Sequence, residues 1–467
     1  MDSRRALGYE PGKEDRGSMR VLAVTPMLPY PQAVNAGPFV TYHHLAALAA
    51  RHQVTLASFA GPDPSEWDAL DDLRALGIDV HVVWRQVPSR MMRRSKLLAA
   101  LAPVPDPNDW NVDADSGPPS PGVRRLSSST VSRGRRRLQQ AVYWLRGKYP
   151  LRTLQFWEPE MQRLLEQLLV ENRFDLIHLE DNAMSSYRCN ASVPTVLTEH
   201  EVRHVQPQQF PSQEMSRIHR VLSERDARRW ERFQLAAWRG VDLVQVFTPQ
   251  DATALRSLAP ELAGRVRINP FGIALPKQAD PGLEQSGMVV FVGGFTHLPN
   301  VDAALWLAKE IMPLLRMRHP GVRLSIVGSY PPDEVRAFSS DDITVTGRVP
   351  TVETYLERAA VVVAPIRVGG GMRLKVLQAM ALGRAVVTTP LGAQGLATET
   401  HQPPLVLASD ADELAKATAD LLASETERRA LGQRARDFVA RHHSWSAYAD
   451  RLDAIHSEII ENSRQRR

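Results

Sequence analysis

The chain has 467 residues, 43% of them hydrophobic and 23% charged, with a formal net charge of +5 at pH 7. This length exceeds one hydrophobic core and predicts two or three domains. A single cysteine, Cys189, excludes an internal disulfide framework and indicates a reducing compartment, with the cytoplasm as the default. No run of about 18 apolar residues occurs, which argues against a membrane-spanning helix.

The first part of the chain alternates between strands and helices. Residues 1–18 are charged and lack the apolar stretch of a secretory signal, so we expect a disordered leader. After it the hydrophobic pattern predicts strands near 21–25 and 53–59, and helices over 39–51 and 65–76. This alternation predicts a parallel sheet covered by helices on both faces.

The alternation stops between about 88 and 150. Proline-rich and serine-rich stretches here lack the residues of a core and predict disorder. From 117 to 157 there is no acidic residue, and the basic residues are Arg124, Arg125, Arg133, Arg135, Arg136, Arg137, Arg146, Lys148 and Arg152. The segment 138–149 mixes aromatic residues with Arg146 and Lys148, which suits a helix on a membrane surface and equally a solvated basic linker.

Regular alternation returns after residue 150 and continues almost to the end. We place a first Rossmann-like domain at 19–275, including the insertion, and a second at 276–445, with a polar linker near 277–287. A C-terminal helix over 446–467, packing back on the first domain, completes the prediction. Two doubly wound α/β domains would enclose a cleft at their strand ends, where ligands of such folds bind.

A glycine-rich loop in the second domain has the clearest chemical meaning. Three consecutive glycines at 369–371 lead from a strand into a helix whose first turn carries Arg373 and Lys375. Cations at a helix N-terminus oppose the helix dipole unless an anion lies there. Because glycine also frees backbone N–H groups, phosphate is the favoured anion. The alternative is a flexible turn with both cations in solvent.

The second domain resembles the retaining glycosyltransferases of family 4, which have the two-domain GT-B fold. The matching segments are FVGGF at 291–295, PNVD at 299–302, IVG at 326–328, VTGRV at 345–349 and the loop region 365–395. The resemblance implies a metal-independent hexosyltransferase that takes its sugar from a nucleotide-diphosphate donor. It implies a glycan or lipid-linked acceptor, as in cell-surface polysaccharide or glycolipid synthesis, and a cytoplasmic place at the inner face of the plasma membrane.

The resemblance assigns roles in the second domain, with two departures from the family. The glutamates that touch the donor sugar and the ribose in the family correspond to Gly370 and Gln378 here. The arginine and lysine that grip the diphosphate correspond to Gly294 and Asn300, so both cations are missing. Arg373 and Lys375 are expected to replace them. The expected diphosphate contacts are Gly37, Gly294, Gly371, Met372, Arg373 and Lys375.

The remaining site residues lie in both domains. Gly347, Arg348 and Val349, with Gln378, are expected to hold the nucleoside. In the first domain, Gly37 matches the family glycine that approaches the phosphate, although an ordinary turn would also explain it. His200 follows a strand and matches the histidine that faces the reacting sugar. Together, the expected catalytic residues are His200, Arg373 and Lys375, and Gly370 and His200 would contact the donor sugar.

Other readings of the sequence remain open. Glu180 and Asp181 end a strand before His200. One alternative is that one of them contacts the acceptor. The simpler expectation is that both are surface carboxylates. Asp410 and Asp412 have a spacing used for metals, but helix capping explains Asp410 more simply. We expect no metal, no cofactor and no specific nucleic acid partner. The alternatives to a transferase are a scaffold that binds a nucleotide sugar without turnover and a nucleotide-sugar 2-epimerase.

Overall fold

The computed structural model of the protein describes two parallel α/β domains and a long C-terminal helix. It describes residues 18–31, 36–61, 64–84, 149–150, 153–154, 156–189, 192–200, 202, 217–369, 373–398 and 400–465. The leader, nearly all of the basic insertion, and Gly370, Gly371 and Met372 of the glycine-rich loop lie outside these residues.

The first domain is built on seven parallel strands in the order β3-β2-β1-β4-β5-β6-β7. The strands are β1 Arg20–Thr25, β2 Gln53–Ala60, β3 Asp79–Trp84, β4 Leu176–Glu180, β5 Thr195–Glu199, β6 Leu243–Val246 and β7 Val266–Ile268. The helices are α1 Ala36–Ala49, α2 Pro64–Ala75, α3 Pro159–Glu171, α4 Arg217–Arg239 and α5 Pro249–Leu258, and short 3-10 turns cover Asn182–Ser186 and Pro260–Arg265. The strand order reverses between β1 and β4.

The second domain has six parallel strands in the order β10-β9-β8-β11-β12-β13. The strands are β8 Met288–Val292, β9 Arg323–Val327, β10 Ile343–Val345, β11 Val361–Ala364, β12 Ala385–Thr388 and β13 Val406–Leu407. The helices are α6 Leu298–Trp306, α7 Met312–Arg318, α8 Asp333–Arg336, α9 Glu353–Arg358, α10 Leu374–Ala381, α11 Ala411–Ala423 and α12 Glu425–His442, with a π-helical stretch Leu307–Ile311 between α6 and α7. Here the order reverses between β8 and β11.

Continuous apolar runs form the central strands because helices cover both faces of each sheet. Val361, Val362 and Val363 of β11 are buried, and Leu45 and Leu48 of α1 are completely so. The parallel sheets and the alternation of strands and helices confirm the fold class expected from the sequence.

The C-terminal helix α13, Trp445–Gln465, packs on the first domain. Arg51 at the end of α1 contacts Asp450 at 2.8 Å and also Asp453, and His52 lies 3.1 Å from Asp453. In sequence, the second domain thus stands between the first domain and α13, and α13 returns to pack on the first domain.

Two further sequence expectations concern polar residues. The polar linker is tied to the second domain, because Glu284 pairs with Arg384 at 3.1 Å and with Arg428 at 2.5 Å. Asp410 caps α11 by accepting a hydrogen bond from the Glu413 N–H at 2.9 Å, which confirms the capping role.

Within the described residues, none of the helices combines the length and apolarity needed to cross a bilayer.

Candidate functional site

The carboxyl ends of β8 and β11 form the point where the second sheet reverses its strand order. Open α/β sheets bind ligands at this point because the loops on either side diverge and leave a crevice. Gly293 and Gly294 follow β8, while the glycine-rich loop follows β11 and leads into α10. Both loops singled out in the sequence therefore converge on one place.

Lys375 reaches across this crevice from the first turn of α10. Its Nζ hydrogen-bonds the Asn300 Oδ1, and the Asn300 Nδ2 donates to the Gly294 carbonyl at 2.7 Å. The ammonium also lies 5.0 Å from the centre of the buried Phe291 ring. A Cβ added at Gly293 would lie 3.2 Å from the Nζ. Lys375 thus places its charge at the β8 loop, where the family cations are missing.

Arg373 lies just before α10 rather than within its first turn, and it is buried with 8% exposure. One guanidinium nitrogen donates to the Gly369 carbonyl at 2.8 Å, whereas the buried Nε has no hydrogen-bond partner. Burial lowers the pKa of Arg373 to about 10. The guanidinium is therefore desolvated and only partly satisfied, which is a costly arrangement for a cation.

The two cations form an electropositive pair. Burial, followed by the repulsion of Arg373, lowers the pKa of Lys375 to about 7. Within the parts of the chain that the structure describes, no carboxylate contacts either group. An anion with several oxygens would relieve both the desolvation and the repulsion. The arrangement favours a bound phosphate over the alternative of cations in solvent.

The carboxyl ends of β9 and β10 lie beside this pair. Ile326 faces Val345 in the register, so the loop after β9 runs next to the loop that contains Gly347, Arg348 and Val349. Gly347 has a positive φ of 70°, and Arg348 is exposed. Gln378 follows Lys375 by almost one turn of α10 and is half-buried.

Tyr330 is a feature of this edge that the sequence analysis did not identify. It is a non-glycine residue with a positive φ of 58°, and its side chain is 51% exposed. A left-handed backbone costs such a residue about 1–2 kcal/mol. Backbone strain beside a crevice is typical of ligand sites, and a Tyr-Pro-Pro sequence gives only a weak signal of it.

In the first domain, the sheet reverses its order between β1 and β4, and the expected residues gather there. Gly37 lies in the first turn of α1 rather than in a loop; a Cβ added to it would meet nothing within 4 Å. Packing among the described residues therefore does not require glycine at this position. His200 follows β5, with 20% of its side chain exposed, and its Nε2 is 2.9 Å from the Glu180 Oε2.

Glu180 is not the surface carboxylate that the sequence suggested. It is 1% exposed and lies among His44, His178 and His200. The neighbouring Asp181 has a positive φ of 75° and caps the turn Asn182–Ser186 by accepting from the Ala183 N–H. The sequence of β4, Leu-Ile-His-Leu-Glu, does not reveal that its last carboxylate is buried, because burial at a strand end depends on the helices packed over it.

The only described donor atoms close enough to share a metal ion come from His44, His178 and Glu180, all within 4.8 Å of one another. These atoms already have partners: Glu180 contacts the His44 Nδ1, and the His178 Nε2 lies 2.6 Å from the Thr198 Oγ1. The geometry therefore fits a hydrogen-bonded cluster better than a metal centre.

Of the remaining residues near the loop after β11, Arg367 does not reach the crevice, and Gly370, Gly371 and Met372 lie outside the described residues. Arg367 pairs with Asp302 at 2.7 Å and lies over the Trp306 ring at 4.4 Å, so it serves the packing of α6. Sequence reasoning also missed Gly293 and favoured Gly294. The clash predicted at Gly293 involves Asn300, which the loop after β8 and the start of α6 bring back to it, and the sequence pattern does not show this approach.

Comparison with known proteins shows what the chain is similar to. Residues 286–424 match the family model described as Glycosyl transferases group 1. Over 317 residues the chain is 26% identical to the phosphatidyl-myo-inositol mannosyltransferase of Mycolicibacterium smegmatis, covering 64% of this chain and 75% of that protein.

Two solved structures show the same fold. The sucrose-phosphate synthase of Thermosynechococcus elongatus has a TM-score of 0.60 at 19% identity and covers 95% of this chain and 100% of its own. HepE of Anabaena, in complex with UDP and glucose, has a TM-score of 0.57 at 14% identity and covers 94% and 100%. These GT-B neighbours confirm the fold expected from the sequence.

Proposed function

We propose that the chain moves a sugar from a nucleotide-diphosphate donor to a hydroxyl acceptor and retains the anomeric configuration, in keeping with its GT-B fold and with the match of residues 286–424 to the Glycosyl transferases group 1 model. The observation that carries this proposal is the pair of cations at the β8/β11 switch point. Arg373 and Lys375 have no carboxylate partner among the described residues and match the charge of a diphosphate.

The chemistry follows from where charge develops. The bond between the anomeric carbon and the diphosphate oxygen breaks, and the departing diphosphate gains negative charge beside Arg373 and Lys375. Stabilisation that grows as this bond breaks accelerates the step. The acceptor oxygen bonds to the anomeric carbon on the same face, and its proton passes to the leaving phosphate. His200 lies at the sugar end, and no metal is needed to hold the phosphate.

The acceptor and the location are further parts of the proposal. The mannosyltransferase relative is named for a phosphatidyl-myo-inositol substrate, which supports a lipid-linked acceptor. We place the protein in the cytoplasm, at the inner membrane face, with the basic insertion as the membrane contact. A polysaccharide or glycolipid product agrees with this placement.

A donor panel tests the reaction. Incubation with UDP-, GDP- and TDP-sugars is expected to release free sugar slowly from one donor, and faster with a lipid extract that supplies the acceptor. Binding of every donor without any turnover would support a scaffold instead. Conversion of the donor into its 2-epimer would support the epimerase.

The nucleoside end of the site gives a separate prediction. Stacking of a base on an aromatic ring is worth about 1–3 kcal/mol. Tyr330→Gly is therefore expected to weaken binding of the preferred nucleoside diphosphate by about 5- to 100-fold, without lowering Tm, since glycine relieves the strain. Tyr330→Phe keeps the ring and should bind like wild type. Equal affinities of the glycine variant and wild type in calorimetry would remove Tyr330 from the site.

A further inference from the structure

Glu180, the last residue of β4, is a buried carboxylate surrounded by histidines. Its Oε2 hydrogen-bonds the His200 Nε2 at 2.9 Å. Its Oε1 contacts the His44 Nδ1 and lies 3.5 Å from the His178 Nε2. The side chain of Glu180 is 2% exposed. An ionised carboxylate in such a place requires a compensating positive charge.

The histidines behind Glu180 do not supply that charge. Burial lowers the pKa of His178 to about 3, and burial also places the pKa of His456 well below its usual value. The His178 Nδ1 lies 3.0 Å from the His456 Nε2 on α13, so the two neutral rings support each other. His200, which bonds Glu180 directly, is the histidine of this cluster whose pKa is raised.

The pKa shifts of Glu180 and His200 agree with this arrangement. Burial alone would raise the pKa of Glu180, but the charge of His44 and the hydrogen bonds of His200 and His44 outweigh it and hold the pKa well below the usual value. Burial alone would lower the pKa of His200, but the Glu180 hydrogen bond and charge raise it above 6.5. The titratable groups that face this pair are His44, His178, Asp181, Glu199, Tyr448 and His456.

The two histidines that contact Glu180, His44 and His200, differ in their exposure to solvent. The His44 side chain is 2% exposed, whereas that of His200 is 20% exposed at the carboxyl edge of the sheet. Because Nε2 of His200 points at Glu180, Nδ1 is the nitrogen left to face a ligand. A protonated imidazole donates hydrogen bonds from both nitrogens.

We infer that Glu180 is a positioning residue for His200: it fixes the orientation of the ring and keeps it cationic, so that Nδ1–H is presented to the donor sugar or its diphosphate. The inference rests on the proposed function. Glu180 itself touches no substrate and acts only through His200, with α13 closing the far side of the cluster.

The test compares two buried glutamates. Glu180→Gln removes the charge beside His200. The matched control, Glu199→Gln, alters a glutamate that is 3% exposed and accepts hydrogen bonds from Asn182 and Trp238 at 2.9 Å. We expect Glu180→Gln to lower kcat about 10- to 100-fold at pH 7.5. The alkaline limb of its pH profile should move to lower pH, while the Kd for the nucleoside diphosphate stays within twofold of wild type.

The control should lower Tm and move the pH profile less than Glu180→Gln does, because the charge of Glu199 has the smaller effect on the pKa of His200. Equal movement of the profile in both variants, or none in Glu180→Gln, would overturn the inference. If Glu180→Gln does not fold, Glu180→Asp, which withdraws the carboxylate from His200 but keeps its charge, should show a smaller shift in the same direction.

A second readout does not need turnover and so separates this inference from the proposed function. In the NMR titration of the His200 ring, the pKa of wild type should exceed 6.5 and that of Glu180→Gln should lie below it. Identical titrations would refute the positioning role even if no nucleotide sugar were a substrate. A clear difference would sustain the pairing even if the donor panel failed.

Discussion

Replacing Lys375 by methionine is expected to weaken the binding of a nucleoside diphosphate and, at the same time, to stabilise the unliganded protein. The variant removes a charged hydrogen bond to phosphate, which corresponds to a loss in affinity of about 10- to 100-fold. It keeps an unbranched apolar side chain and removes only the terminal Nζ, which lies over the Phe291 ring.

The gain in stability follows from the direction in which the pKa of Lys375 is shifted. The pKa of Lys375 is about 7 in the folded protein, against 10.5 in an unfolded chain. The unfolded state thus binds more protons between these values, so the destabilisation by Lys375 is complete below pH 7 and fades as pH rises towards 10.5. Because the side chain is partly exposed, we expect Lys375→Met to add only about 1 kcal/mol at pH 7, which corresponds to about 2–4 °C in Tm.

Thermal unfolding with and without the nucleotide measures both effects. Glutamine at position 375 is the companion variant, because it keeps a hydrogen-bond donor but not the charge. A variant that bound nucleotide like wild type, or that lost Tm, would show that Lys375 is a structural lysine.

Gly293→Ala is expected to weaken nucleotide binding without removing any charged group. The added Cβ would lie 2.9 Å from the Cβ and Cγ of Asn300 and 3.2 Å from the Lys375 Nζ. Since the first contact lies close to the backbone, Asn300 must shift and release Lys375 from its position. We expect Kd for the nucleoside diphosphate to rise about tenfold or more, which is a cost of at least about 1.4 kcal/mol.

Gly264→Ala is the matched control, because a Cβ there meets nothing within 4 Å and the residue is remote from the crevice. It should bind nucleotide as wild type does. If Gly293→Ala bound equally well, the position of Lys375 at the β8 loop would have no part in recognition.

Much of the fold follows from local sequence patterns. The valines of β11 and the apolar residues of α1 have the spacing of covered strands and helices, and these periodicities do not depend on distant residues. The cations of the glycine-rich loop also stand out in the sequence, because beside a helix N-terminus they conflict with the dipole unless an anion is bound, and their contact with phosphate stays a prediction. The structure places the described parts of that loop at a switch point, as the pattern predicted.

The rest of the site depends on packing and backbone geometry that hydrophobic periodicity does not report. Glu180 is buried because α1 and α13 cover it, and nothing within β4 predicts this. The requirement for glycine at position 293 arises from the Asn300 side chain, and the left-handed backbone of Tyr330 has no reliable sequence signal. Such features are determined by packing, whereas periodicity reports only which face of an element is covered.

Proton uptake on nucleotide binding tests the phosphate role of Lys375 most directly. Titration calorimetry at pH 8, in two buffers with different ionisation enthalpies, measures it with the nucleoside diphosphate selected by the donor panel. Because the lysine is mostly neutral at pH 8 and a bound diphosphate favours its charged form, wild type should take up nearly one proton. Its affinity should fall up to tenfold for each pH unit above 7, and Lys375→Met should take up none. Equal proton uptake by both proteins, or tight binding by wild type with no uptake, would contradict the account.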